Sequence, residues 1–320
     1  MHYIKLFLTA GQTALRPDAY ISVLIYCGTV CAGRSALKAL FFMCQLNKVS
    51  KTIPPRGLKP LCINGKYISM GKTLPRIEKY WTNRAQGYSN LNKWQLGCDS
   101  RQRWHNVLIR ELPKGNPAEI KVLDMGCGPG FFSIILAEDG FDVTAADYTE
   151  EMLEKARENA EGLENITFTR QDAQNLTLPD NSFDVIVSRN LTWVLEEPER
   201  AYAEWFRVLK KGGILLNFDA NWYAYLYDDE KRRGYERDRK NVEMRNMKDH
   251  FIGTDIDEME AIALKVPLTA KKRPVWDKLV LKNTGFKTVI TDTEIWQLVW
   301  TETEKVNHGS MPLFMVKAIK

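Results

Sequence analysis

Val122-Leu123-Asp124-Met125-Gly126-Cys127-Gly128-Pro129-Gly130 is the stretch on which the reading of this chain turns. An apolar run, Ile120–Met125, leads into it, and a second, Phe131–Glu138, leaves it. The first reads as a buried strand and the second as a helix stopped by Gly140. Glycines between a strand and a helix let backbone approach a ligand closely. The spacing is not that of a pyrophosphate binder. A dinucleotide fingerprint runs G-x-G-x-x-G, and Phe131 stands where its third glycine belongs. No Lys-Ser/Thr pair follows to make a phosphate loop. Asp124 would repel a phosphate at the helix N-terminus, but suits a ligand with an ammonium group.

Strand and helix alternate outward from this loop. Phe141–Ala146 reads as a strand ending at Asp147, an acid placed to take a ribose diol. Thr149 caps a helix whose Met152, Leu153, Ala156 and Ala160 share one face, and Gly162 ends it. Ile166–Arg170 and Phe183–Ser188 read as strands and Glu199–Leu209 as a helix. Lys211-Gly212-Gly213 reads as a turn before the strand Ile214–Phe218. After a charged stretch the pattern resumes with helix Trp276–Asn283 and strands Lys287–Thr291 and Pro312–Lys317. Repeated β-α-β units imply a mostly parallel, seven-stranded α/β sheet with helices on both faces.

Five segments follow from this reading. Residues 116–220 form the core with the cofactor site, and residues 276–320 complete its sheet. Residues 70–115 form an N-terminal helical cap, with a helix in Pro75–Trp94 and another over Ser100–Leu112. Residues 221–275 are a charged insertion, read either as a solvated helical insertion or as an inserted helical lid, the lid favoured because the segment leaves directly from the end of a strand. Residues 1–69 are poorly patterned. They carry nine Lys/Arg against the single acid Asp18, a balance of +8, which leaves −3 for the rest of a chain whose total is +5. Their apolar runs, Ala19–Cys31 and Ala36–Leu46, fall short of the ~18–20 residues of a membrane span. Thr52–Pro60 reads as a linker. Residues 1–69 read as a helical appendage, a weak membrane-surface segment or upstream sequence translated from a start codon placed too early, and the composition break at Met70 favours the last.

Composition narrows the function classes. With 44% hydrophobic residues the chain can build a sizeable core. The slightly acidic core lacks the basic footprint of a nucleic-acid binder. Cys27 and Cys31 have a metal-like spacing, but no matching Cys/His pair follows, and no metal site is expected.

The ordered set of motifs resembles the class I S-adenosylmethionine-dependent methyltransferases, especially the small-molecule group that includes ubiquinone/menaquinone- and biotin-pathway enzymes. The resemblance covers roughly residues 76–220 and implies a Rossmann-like core. Asp124-x-Gly126-x-Gly128-x-Gly130 matches the family's first motif, and Asp147 its ribose-binding acid. Gln171-Asp172-Ala173 matches its adenine-side segment, with Asp172 toward the adenine amino group and Ala173 near the ring. Leu178–Ile186 and Arg207–Gly213 match the approaches to strands four and five, with Lys211 where proline is common. The implied cofactor is S-adenosylmethionine, held by Tyr80, Tyr88, Asp124, Gly126, Cys127, Gly128, Asp147, Tyr148, Met152, Asp172, Ala173 and Ser188. Cys127 reads as a small loop residue and not a nucleophile. Tyr80, Trp81 and Tyr88 serve either as packing or as cover over the cofactor.

Methyl transfer from a sulfonium needs alignment and exclusion of water more than a fixed triad. The segments after strands four and five, Ser188–Trp193 and Asp219–Tyr223, are polar and aromatic. Arg189, Asp219 and Tyr223, together with Asn190, are therefore expected to grip a small polar acceptor, Arg189 through a carboxylate and Asp219 as amine holder or base. A nucleic-acid methyltransferase, a non-catalytic cofactor-binding protein and aminopropyl transfer are the rivals. Nucleic acid is disfavoured because Ser188-Arg189-Asn190-Leu191 stands where base-amino enzymes resemble one another in Asn/Asp-Pro-Pro-aromatic, and no Pro-Cys nucleophile occurs. The partners expected are a small-molecule acceptor, with no nucleic acid and no membrane, for a cytoplasmic monomer or homodimer.

Overall fold

The computed structural model describes residues 73–320, together with a short antiparallel pair, Cys62–Ile63 with Lys66–Tyr67. The expectations placed on residues 1–69, including Cys27 and Cys31, otherwise lie outside the described residues. The chain enters through helices α1 (Leu74–Leu96) and α2 (Asp99–Glu111). It then alternates through β1 (Lys121–Met125), α3 (Phe131–Glu138), β2 (Asp142–Asp147), α4 (Glu150–Asn159) and β3 (Ile166–Arg170). There follow β4 (Phe183–Arg189), α5 (Pro198–Val208) and β5 (Leu209–Asp219). Helices α6 (Asp229–Met244) and α7 (Ile256–Ala263) form the insertion. The chain ends with α8 (Val275–Thr284), β6 (Thr288–Asp292), α9 (Trp296–Val299), α10 (Glu302–His308) and β7 (Phe314–Ile319).

The seven strands lie in the order β3-β2-β1-β4-β5-β7-β6. All pairs are parallel except those of β7, which runs antiparallel to β5 and β6. The sheet order reverses at β1, with β2 on one side and β4 on the other. A crevice opens outside the carboxyl ends of strands at such a switch point. The sequence therefore dictates where the site lies before any side chain is considered.

Each face of the sheet carries its own core. Helix α3 is apolar almost all round and is buried between the sheet and α2, where Trp104, Phe132 and Phe218 meet edge to face. On the other face α5 and α8 cover Leu123, Ile186, Leu215 and Val316. Burying each such aliphatic side chain contributes about 1.5–3 kcal/mol, so these strands are fixed in depth and register.

One local expectation fails. Lys211-Gly212-Gly213 is not a turn ahead of a strand but lies inside β5, which runs unbroken from Leu209. The pairing with β4 jumps from Phe183↔Leu209 to Val185↔Ile214, so the extra residues bulge out of the ladder. Gly212 absorbs the bulge at φ +81°.

Candidate active site

A cleft lies over the carboxyl ends of β1–β4 and is roofed by α1. The glycine loop forms its floor. Gly126 and Gly128 take φ +72° and +52°, a region that side chains disfavour. Both backbone amides of Gly126 and Cys127 donate to Ala146 O, at 2.8 and 3.0 Å, which ties the loop to β2. A Cβ on Gly126 would stand 2.8 Å from Leu191 Cδ2, and one on Gly128 would meet the Tyr88 ring at 3.5 Å. Leu191 and Tyr88 therefore close on bare backbone from two sides.

Three carboxylates border the cleft at the ends of three adjacent strands. Asp124, on β1, is 2% exposed and accepts a 2.6 Å hydrogen bond from Ser133 Oγ. Burial pushes its carboxyl up to about 6, partly offset by Ser133 and by the Arg189 guanidinium. Asp147, ending β2, accepts from Gly128 N and Thr149 N, each at 2.9 Å. Burial raises its pKa too, and those amides oppose the rise. Asp172, after β3, takes the amide and side chain of Gln174 on one oxygen. Burial pushes the Cys127 thiol well above its ordinary value, so its part in the loop is as a small neutral residue.

Arg189, ending β4, lines the far end of the cleft. Its guanidinium lies 4.3 Å from the Phe131 ring centre, with Phe132 and Trp104 at 5.3 and 5.4 Å. Its hydrogen bond within the protein is a long one, 3.4 Å to Gln95 Oε1. Asn92 and Asn190 line the same end, and each has a buried side-chain oxygen without a protein partner. Asn190 holds the left-handed conformation at φ 58°. Because both residues line the cleft, these oxygens are candidates to accept from a bound ligand.

The structure brings together Tyr88, Asp124, Gly126, Cys127, Gly128, Asp147, Tyr148, Met152, Asp172, Ala173 and Arg189 around this cleft. It does not bring in the other expected residues. Tyr80 turns away from the cleft into a cluster with Ile77, Trp193 and Met259. Ser188 is fully buried and spends its hydroxyl on Met125 O at 2.9 Å, joining β4 to β1. Tyr223 packs against Trp193, ring centres 5.0 Å apart and planes tilted, in the cluster that also holds Tyr80, and burial raises its phenol pKa. Asp219 is corrected most firmly, because all its capacity is committed inside the protein. It accepts from Thr192 Oγ1 (2.5 Å), Trp193 N (2.8 Å), Trp222 Nε1 (3.2 Å) and Arg273 Nη1 (2.8 Å). A carboxylate so bound and fully buried has no lone pair for an acceptor.

The insertion differs from its expected part as well. None of residues 221–275 lines the cleft. Helix α7 instead packs Met259, Ile262 and Ala263 against Ile77 and Tyr80 of α1, and Arg76 pairs with Glu258. The roof is α1, and the insertion braces it. Glu78 of α1 also pairs with Arg170 at 2.6 Å, and that guanidinium lies over the Tyr148 ring. Sequence reasoning missed Asn92, Phe131 and Glu78 as lining residues. Phe131 alone carried a signal, being the residue directly after the last loop glycine.

Among the described residues no group of three or more His, Cys, Asp or Glu could hold a metal ion, and no helix is long and apolar enough to cross a membrane.

A family model described as a methyltransferase domain matches residues 123–217. The chain is 32% identical over 157 residues to the ubiquinone biosynthesis O-methyltransferase of Coxiella burnetii, covering 43% of this chain and 67% of that one. It is 44% identical over 99 residues to the phosphatidylethanolamine N-methyltransferase of Cereibacter sphaeroides, covering 30% of this chain and 48% of that one. Against a Bacillus subtilis protein described as a methyltransferase it is 34% identical over 140 residues, 42% of this chain and 55% of the relative. The chain thus spans about half the length of the last two of these relatives. In fold it resembles a chain of the solved complex between the Haloferax volcanii Trm112 methyltransferase activator and a protein described as a methyltransferase. That likeness has a TM-score of 0.50 at 15% identity, over 75% of this chain and 96% of that one.

Proposed function

Because this chain belongs to the class I S-adenosylmethionine-dependent methyltransferases, we propose that it transfers a methyl group from S-adenosylmethionine to a small polar acceptor carrying an anionic group. The observation that carries the reading is the row of carboxylates, Asp124, Asp147 and Asp172, on adjacent strand ends around one cleft. Three acids suit a ligand with an ammonium, a ribose diol and an exocyclic amine, and would repel one with phosphates.

The residues present fit that cofactor. Glycine backbone lies bare between Tyr88 and Leu191, and the unpartnered oxygens of Asn92 and Asn190 await donors. Asp124 would hold the ammonium, Asp147 the ribose hydroxyls and Asp172 the adenine amino group, with Met152 and Ala173 against the ring. S-adenosylmethionine supplies a methyl group on cationic sulfur, open to in-line displacement. The protein's share is then alignment and dryness. Tyr88 and Trp81 add aromatic faces beside a cationic centre. Arg189, pre-set by stacking and short of partners, holds the acceptor's anion at the β4 end.

Calorimetric titration of the full chain tests the cofactor, with micromolar binding of S-adenosylmethionine and none of NAD expected. Arg189→Gln tests the acceptor. A raised acceptor KM with unchanged cofactor affinity is expected. Loss of cofactor affinity instead would assign Arg189 to the cofactor's own carboxylate and remove the anionic requirement on the acceptor.

A further inference from the structure

Between Glu260 and Asp292 the sequence holds one acid, Asp277, and the structure buries it against Arg273. The same stretch carries Lys265, Lys271, Lys272, Lys278, Lys282 and Lys287, all exposed. The lysine ion pairs among the described residues belong to Lys155, Lys210, Lys305 and Lys317, so none of these is neutralised.

Helix α8 organises the charge. Val275, Lys278, Leu279 and Lys282 follow i, i+3, i+4, i+7 spacing and share its outer face. Val275 is 62% and Leu279 59% exposed, while Asp277 and Leu281 on the opposite face are fully buried. A solvated helix ordinarily shows mixed charge outward and hides its aliphatics. This face has one sign of charge with aliphatics between. The character is local, because residues 70–320 as a whole are slightly acidic.

Two kinds of partner carry dense negative charge, a nucleic acid and a bilayer with anionic headgroups. The aliphatics separate them. Val275 and Leu279 gain nothing from hydrated backbone phosphates, but would sink among acyl chains while lysine stems reach up to the headgroups. We propose that the outer face of α8, with the lysines flanking it, docks this protein on an anionic lipid surface. The helix lies along the surface and does not span it. Lys271 and Lys272 directly precede Arg273, whose guanidinium reaches Asp219 at the carboxyl end of β5. The basic face therefore starts on the side of the sheet where the cleft lies. This inference is independent of the acceptor's identity.

The test is co-sedimentation of the full chain with vesicles of phosphatidylcholine alone or mixed with phosphatidylglycerol. Binding to the mixed vesicles only, weakening with salt, is expected. Lys278→Glu with Lys282→Glu should lower partitioning at least about 30-fold, corresponding to ~2 kcal/mol for two surface lysines. Val275→Ser with Leu279→Ser should lower it further, and neither pair should change cofactor affinity or melting temperature. The proposal is overturned by absence of vesicle binding, by binding that these variants leave unchanged, or by α8-dependent binding to duplex DNA in its place.

Discussion

Arg273 donates from Nη1 to Asp219 at 2.8 Å, and neither side chain is exposed. The end of the insertion is thereby fastened to the strand from which the insertion departs. Asp277 completes the set with a 2.7 Å bond from Arg273 Nη2, and Tyr202 donates to Asp277 at 2.5 Å. Removing one partner of such a group strands buried charge. Arg273→Met should lower unfolding free energy by about 3–5 kcal/mol, read from urea denaturation. A loss under about 1 kcal/mol would show that the hydrophobic replacement offsets the pair.

Gly126 faces Leu191 with no room for a side chain. Gly126→Ala should cost cofactor affinity through both the clash and the strain of φ +72°, the latter about 1–3 kcal/mol. Adding Leu191→Ala relieves the clash and leaves the strain, so titration of the double variant should recover part of the loss. Full recovery would mean that strain contributes nothing.

Asp147 spends two lone pairs on backbone amides and keeps the others for a ligand. Asp147→Asn keeps the shape and loses the charge. Hydrogen bonds to charged groups contribute about 1.5–3 kcal/mol, so calorimetry should show cofactor affinity down by roughly tenfold or more, with little change in melting temperature.

Asp124 gives a pH signature of two opposite signs. Its carboxyl is raised by burial from 3.8 to about 6, so across that window the folded protein binds more protons than the unfolded chain. This residue's contribution to the ligand-free protein's stability therefore improves as pH falls from 6 toward 4 and declines as pH rises. Affinity for an ammonium-bearing ligand moves the other way, because the carboxylate is the binding form. Cofactor affinity should fall below about pH 6, and Asp124→Asn should flatten that dependence.

The strands and the glycine loop were legible because their signals are local. An apolar run, a turn and an acid at a strand end lie within a few residues of one another. Asp219 was misread for the converse reason. Its position at a strand end is that of a site residue, and the partner that removes it from the site stands 54 residues away. Tyr80 and Ser188 fail similarly, since whether such a side chain faces the cleft or a neighbouring element depends on packing that no short spacing encodes. Arg189 differs because its aromatic neighbours Phe131 and Phe132 follow the loop and leave it facing the cleft. The bulge in β5 went unseen because a Gly-Gly pair marks a turn and a bulge alike.

The roof helix α1 is held at its rim by Arg76–Glu258 and Glu78–Arg170, pairs whose side chains remain roughly a third to a half exposed. Pairs in that setting weaken as ions are added. Residence time beneath α1 thus becomes a function of ionic strength. A concentrated medium should speed both arrival and departure, and where departure limits the cycle, turnover will quicken with salt even as occupancy drops.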